Sequence, residues 1–365
     1  MTIDTAAPQL ATFDSYITRL GVALAPRAGE PTEVEGVLNP ASARTRDGKV
    51  LLYPRCVAKG NISRVGMLEA VDASETAAFR RLGFALEPEQ PYELRSETGG
   101  YGCEDPRVTF VPLLDAYVMC YTAFGPGGPR VTIALSFDGY DWERLGTVDF
   151  SATGQIDRDD KDGVFFPEPV LSPAGVRCFA FYHRPMLKIS AANGCAAVPI
   201  ILELPPEQRE STRIAYVPVD AVLADRRALL NVTESVLVLA PGADWGRIKN
   251  GAGTPPVRIA EGFFSLFHGV DGHYDDDGNC VGMRYSGGIV IHDAMRPHLV
   301  VYRSPAPVFV PETPDELRGI VNNVVFPTAI ETLPERGARS FEVFYGMADS
   351  RIGRARIDLG ASTLA

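Results

Sequence analysis

The chain has no excess of positive charge: 35 Lys and Arg stand against 46 Asp and Glu in 365 residues, a net charge of −11. Nucleic-acid binders need a basic face to displace condensed counterions, and no dense Lys/Arg block is present, so that class is set aside. The same acidity gives no long-range attraction for a phosphorylated ligand, and any anion site must be built locally. Nor is there a run of about eighteen apolar residues to span a bilayer. Met1 to Phe13 contains Asp4, lacks a basic start and has no continuous apolar stretch, which predicts no secretory leader and a cytoplasmic location. Six cysteines (Cys56, Cys103, Cys120, Cys178, Cys195, Cys280) form no CxxC and read as reduced, buried thiols. No His, Asp or Glu grouping has metal-ligand spacing, so no metal site and no cofactor are expected. Asp275-Asp-Asp-Gly-Asn279 lacks the remaining ligands of a calcium loop and reads as a hairpin turn. Long helical periodicity is missing too, apart from a modest candidate over Val219–Leu230 and a short turn at Glu312–Leu317.

What is present is a series of short β-rich runs between Gly, Pro and Asp turns. They are Lys49–Tyr53, Tyr117–Tyr121, Cys178–Tyr182, Gly262–Phe267 and Phe341–Tyr345, each mixing aromatic and β-branched residues over one strand length. A proline-bearing corner precedes each: Asn39-Pro40, Asp105-Pro106, Phe166-Pro167, Pro255-Pro256 and Phe326-Pro327. A β-sandwich has no need of the same corner five times, and a parallel α/β fold needs helices between its strands. Radial repetition of small antiparallel sheets fits, and predicts an all-β, five-bladed β-propeller with a central axial pocket. One domain is expected over residues 1–365, with an N-terminal arm over 1–30 and an insertion over 205–244 that carries no obvious chemistry.

The corner residues are polar for a structural repeat, with carboxylates, several cations and His268 brought to one axis. Glycosidic cleavage needs an acid for the leaving oxygen and an attacking group on the other face of the sugar. Five segments, in order, carry a specific resemblance: Gly102-Cys-Glu-Asp-Pro-Arg107; Lys161-Asp-Gly-Val-Phe-Phe-Pro-Glu168; His183-Arg-Pro-Met186; Gly251-Ala-Gly-Thr-Pro-Pro256 with Phe267-His-Gly-Val-Asp271; and Asn323-Val-Val-Phe-Pro-Thr328 with Tyr345-Gly-Met-Ala-Asp349. From about Asn39 to Leu359 the chain resembles glycoside hydrolase family 130, the β-mannoside phosphorylases and some β-mannosidases. The family fold is a five-bladed propeller, in agreement with the repeat count.

The resemblance implies that Asp105 is the proton donor, passing its proton through a mannose hydroxyl, and that reaction inverts the anomeric carbon. It implies a phosphate site at Lys161, Arg184, Lys249 and His268, all residue types able to donate to an oxyanion. It places Asn39, Arg55 and Asp349 on the mannose, with Arg64, Glu104, Asp162 and Asp271 as neighbours. Phosphate is then a co-substrate, a β-1,4- or β-1,2-mannoside the substrate, and α-mannose 1-phosphate the product. Local readings of the same residues stand beside this one. Asp-Pro opens turns, Arg107 could pair with Asp105, and Lys161 lies in the mixed-charge run from Asp157 to Asp162. Two other functions use the same fold: a β-mannosidase that replaces phosphate by water with a glutamate base, and a non-catalytic carbohydrate-binding propeller. The sequence leaves room for a homo-oligomer and does not fix the linkage.

Overall fold

A computed structural model describes residues 10–72, 78–97, 99–154, 159–187 and 194–364. Residues 1–9 of the arm, and Asp157 and Arg158 of the mixed-charge run, lie outside the described residues. Each of the five aromatic runs becomes the second strand of an antiparallel sheet: Val50–Ala58, Ala116–Gly125, Arg177–Pro185, Gly262–Tyr274 and Ser340–Met347. Each pairs with an inner strand that carries or precedes the proline corner: Gly36–Arg44, Tyr101–Val111, Asp160–Phe165, Lys249–Ala252 and Val325–Thr332. These are the five blades of the propeller. The first two blades are joined into one sheet by a short parallel contact, Ile62 with Tyr101 and Ser63 with Gly102.

Neighbouring blades pack face to face through apolar side chains. Val118, Ile133, Phe165 and Phe181 fill the space between the second and third blades, and Phe264, Ile289, Ile330 and Phe341 that between the fourth and fifth. Leu52 and Leu68 of the first blade meet Ala329 and Phe344 of the fifth, closing the ring.

Two sequence expectations are corrected by the sheet order. The arm is no free extension: Leu10–Leu24 pairs antiparallel with Arg351–Leu364 and forms the outermost strand of the fifth blade. The 205–244 segment is no surface excursion either. It holds Thr212–Pro218 and Glu234–Leu239, the two outer strands of the third blade, and Ile214, Ala215, Tyr216 and Val217 are buried. Proline at its start and a short helix inside it disguise that role. The expected helix over Val219–Leu230 is an α-helical turn, Val219–Ala224, followed by a 3-10 segment, Arg226–Leu230, that the Asp225 side chain caps. The short turn near Glu312 is Pro314–Leu317, where the Glu316 carboxylate accepts the backbone N–H groups of Glu312 at 2.8 Å and Thr313 at 3.0 Å.

The corners have a common backbone device. Asn39, Asp105 and Asp162 adopt left-handed φ values of 42°, 46° and 60°. At the same places the strand register slips, between Leu38 and Ala41, Glu104 and Arg107, and Lys161 and Val164. Asn and Asp tolerate this conformation better than other residues with a Cβ, and a β-bulge re-aims the side chain it carries. Three successive inner strands therefore turn a short polar side chain toward the axis.

Candidate active site

A cavity opens at the end of the axis where these bulges lie. Asn39, Arg55, Asp105, Lys161, Asp162, Arg184, Lys249, His268 and Asp349 all line it, so residues more than 300 positions apart in the chain share one wall. On one side, the Asp105 carboxylate accepts hydrogen bonds from Asn39 Nδ2 at 2.9 Å and Arg55 Nη1 at 3.2 Å. Arg55 is itself fixed, donating to Ser63 Oγ at 2.9 Å and to Glu104 Oε1 at 3.0 Å. Glu104 also accepts from Lys161 Nζ at 2.9 Å, so this carboxylate sits behind the cavity wall and ties two cations together. Burial raises the Asp105 pKa, but the Arg55, Lys161 and Arg107 charges outweigh it and hold the carboxyl below the usual range. Asp349 goes the other way: burial and the nearby Asp105 charge push it up to about 6. Its left-handed φ of 49° follows one of 44° at Ala348, a backbone that turns the carboxylate inward.

The other side is built from the third and fourth blades. Arg184 Nε donates to Asp162 Oδ2 at 2.6 Å, and its Nη1 pairs with Glu210. Burial would raise Asp162, but the charge and hydrogen bond of Arg184 hold it well below the ordinary carboxylate range. The Lys249 ammonium lies 5.6 Å from the centre of the Tyr285 ring, and its pKa is raised by that neighbour, with Glu210 adding to the effect. No bulk can be added between these groups. A Cβ on Gly251 would meet Asp162 Oδ2 at 2.1 Å and His268 Cε1 at 2.4 Å.

His268 departs from expectation in its chemistry. Its Nδ1 is 3.2 Å from the Ala252 carbonyl, a contact that requires Nδ1 to carry the proton and donate it. Burial lowers its pKa to about 3, so the ring is neutral and Nε2 offers a lone pair rather than a donor. It can accept a hydrogen bond from a hydroxyl but does not present a donor to a bare oxyanion.

Three expected neighbours do not line the cavity: Glu104 stands behind its wall, and Arg64 and Asp271 are directed elsewhere. Arg64 Nε pairs with Glu87 Oε1 at 3.1 Å, on the side of its blade away from the axis. Asp271 accepts the backbone N–H groups of Gly246 at 2.9 Å and Arg247 at 3.0 Å, fastening the loop before the fourth blade. Conversely, Tyr285, Met186 and Phe326 line the cavity, and Glu210 and Arg107 brace it. Met186 and Phe326 stand inside the quoted motifs, as does Arg107, whereas Tyr285 and Glu210 carry no sequence signal of a site.

Four cations and three carboxylates thus face one space, and one of those carboxylates, Asp349, is raised to about 6. Such a surface suits a neutral polyhydroxylated ligand beside an oxyanion, with an ionisable carboxyl between them.

Comparison with known proteins agrees with the geometry. The profile of a family described as beta-1,4-mannooligosaccharide phosphorylase matches residues 12–190 and 228–361. The 1,2-beta-oligomannan phosphorylase of Thermoanaerobacter sp. (strain X514) is 26% identical over 346 residues, covering 92% of this chain and 94% of that one. Among solved structures, the β-1,2-mannobiose phosphorylase from Listeria innocua, in complex with β-1,2-mannobiose, has a TM-score of 0.68 at 19% identity over 94% of this chain and 96% of its own. Another, from a report that mannoside phosphorylases of this kind include hydrolases targeting β-1,2 linkages in Candida mannan, has a TM-score of 0.66 at 19% identity, covering 98% of this chain and 95% of that one. At such identities the structural likeness carries the fold.

Proposed function

Because the chain belongs to glycoside hydrolase family 130, whose profile matches it over most of its length, we propose that it is an inverting phosphorylase of β-mannosides, releasing α-mannose 1-phosphate. The observation that carries this reading is the shared cavity: Arg184 and Lys249 open onto the same space as Asp105. Phosphate brings between one and two negative charges and must shed water to attack. Two cations from different blades offset that cost and orient one oxygen toward the sugar. Lys161 lies between the two sides, paired with Glu104.

In this reading Asn39, Arg55 and Asp349 hold the mannose, and Asp105 supplies the leaving oxygen's proton through a mannose hydroxyl. The free site holds Asp105 ionised. A phosphate dianion bound beside Arg184 and Lys249 opposes the cationic field that lowers Asp105, and so favours the protonated carboxyl when both substrates are in place. Proton balance also closes. Hydrogen phosphate carries one proton, the new phosphate ester carries none, and the released sugar hydroxyl gains one. In this reading the neutral His268 Nε2, 3.8 Å from Asp162 Oδ2, accepts a hydrogen bond from the phosphate hydroxyl, whose proton passes to solvent as the ester forms.

Relatives that act on β-1,2- and β-1,4-mannosides both match this chain, so the substrate panel should contain both linkages. Incubation of each mannobiose with and without phosphate, followed by product analysis, tests the reading. Phosphate-dependent appearance of α-mannose 1-phosphate is expected. Equal turnover without phosphate, giving free mannose, would replace the phosphorylase by a hydrolase.

A further inference from the structure

The propeller axis has a second opening. Beyond the bulges each inner strand continues away from the catalytic cavity, and its far end, or the residues just after it, lines another hollow. Every blade contributes: Arg44, Phe110, Glu168, Arg258 and Glu331 come from the first to the fifth in order. The two cavities are separated by a plug across the axis. Buried Arg107 of the second blade donates to the Gly253 carbonyl of the fourth at 2.8 Å and packs 5.4 Å from the ring centre of Phe326 of the fifth. Thr328 Oγ1 of the fifth blade donates to the Pro40 carbonyl of the first at 2.6 Å. The far hollow is therefore a separate site rather than the back of the catalytic one.

Its lining is two-sided. One wall is apolar: the Phe110 ring, 36% exposed, lies 5.0 Å from the Tyr117 ring, and Pro167, Pro255 and Pro256 line the same hollow. The other wall holds polar groups that the protein leaves unused. Glu331 is 7% exposed, and its carboxylate approaches Arg44 Nε at 3.9 Å, too far for a hydrogen bond. Ser42 is 6% exposed, and neither its Oγ nor Arg44 Nε has a hydrogen-bond partner among the described residues. Unmatched buried polar atoms are costly, and here a hydroxyl and a guanidinium N–H face one space beside the Glu331 carboxyl. Arg258 adds no free cation head, because it donates to the Ala294 carbonyl and lies over the Phe263 ring.

We propose that this far mouth is a second, non-catalytic binding site for a neutral pyranoside. A pyranose presents a face of C–H groups, which suits the Phe110 ring, and an edge of adjacent hydroxyls. Each hydroxyl donates and accepts, matching the acceptor, the mixed group and the donor offered by Glu331, Ser42 and Arg44. A small anion gains less, since Glu331 stands beside the unpaired guanidinium N–H. The proposal requires no particular chemistry at the opposite mouth.

Crystals of the full chain soaked in β-1,2- or β-1,4-mannobiose, without phosphate, should show a sugar ring against Phe110 with hydroxyls on Glu331 and Ser42. In solution, titration with the same sugars should show two binding events. Phe110→Ala, a change at a partly exposed residue, should remove one of them and leave turnover as in the wild type. Sugar only beside Asp105, a sulfate or other anion in the far mouth, or superimposable isotherms for the wild type and Phe110→Ala would each overturn the proposal. A filled far mouth in a protein that fails to turn over any mannoside would leave it standing and remove the phosphorylase reading instead.

Discussion

At the scale of single residues, two glycines set how closely the site can be assembled. A Cβ on Gly251 would fall 2.1 Å from Asp162 Oδ2 and 2.9 Å from Arg184 Nε, and one on Gly346 would fall 2.1 Å from Asn39 Oδ1. The first change pushes apart the phosphate side, the second the Asn39 that donates to Asp105. Loss of one charge-assisted contact is worth about 1.5–3 kcal/mol, or roughly 10- to 100-fold. Gly251→Ala should therefore raise KM for phosphate by that factor with KM for mannoside little changed, and Gly346→Ala should do the reverse. Steady-state kinetics with each substrate varied in turn checks this, and a uniform fall in kcat for both variants would contradict it. A different residue controls pH behaviour. Burial pushes Glu331 up to about 7. Between its ordinary value near 4.3 and that level, the folded protein keeps a proton that the unfolded chain releases. Stability conferred by this group consequently falls as pH rises through that window and is flat above it, by at most about 4 kcal/mol. The advantage of Glu331→Gln over the wild type in urea unfolding should be larger at pH 8 than at pH 5. An advantage independent of pH would refute it.

At the scale of elements, the fifth blade depends on the start of the chain. Leu10–Leu24 runs alongside Arg351–Leu364, with Ile17 opposite Ile357. Within it, buried Phe13 stacks 6.3 Å from Phe264 and 5.6 Å from Tyr302, both in the fourth blade. Phe13 thus fastens the closing strand to the neighbouring blade. Phe13→Ala should cost about 3–5 kcal/mol, as for other buried aromatics cut to alanine. Tyr16→Ala, on the same strand but 66% exposed, should stay within about 0.5 kcal/mol. Denaturant unfolding of the two variants measures this, and equal small effects would mean that the strand is not needed for closure. This strand was also hard to read in the sequence: Leu10–Leu24 alternates poorly, with Phe13 and Leu24 its fully buried residues. The second strands of every blade were legible because both their faces are covered, giving continuous aromatic and β-branched runs. The corners were legible because a bulge needs Asn or Asp and the strand after it tolerates proline. Thr212–Pro218 was not, since Pro205, Pro206 and a helical turn surround it. Glu210 was hidden for the same reason, and Tyr285 because its place opposite Val270 depends on strand register alone. Asp271 ends a quoted motif and Arg64 follows the first aromatic run, but a loop N–H pair and strand alternation direct them elsewhere.

For the whole molecule, the cavity divides among blades in a way that couples binding to the ring. Arg184 belongs to the third blade, Lys249 and His268 to the fourth, so an anion held by all three is a clip between neighbouring blades. No helix among the described residues is long and apolar enough to cross a membrane, and the chain's net charge of −11 repels anions at long range. Stabilisation by phosphate must then come from this local cluster, not from general charge neutralisation. A ligand at 100 times its Kd stabilises the folded state by about 2.7 kcal/mol. With an unfolding entropy near 2.1 cal/mol/K per residue, a chain of this length should gain roughly 3 °C in Tm. Lys249→Gln should abolish the gain, whereas Asp105→Asn should keep or enlarge it, because the variant loses a carboxylate that opposes the anion without touching the clip. Arg184→Gln should also abolish it, but starts from a lower Tm, since Asp162 and Glu210 lose their buried partner. The phosphate-induced shift within each variant is therefore the informative quantity, measured at constant ionic strength against chloride. A shift of equal size in the wild type and Lys249→Gln would place the anion elsewhere and break the link between the third and fourth blades on which the attack on the sugar depends.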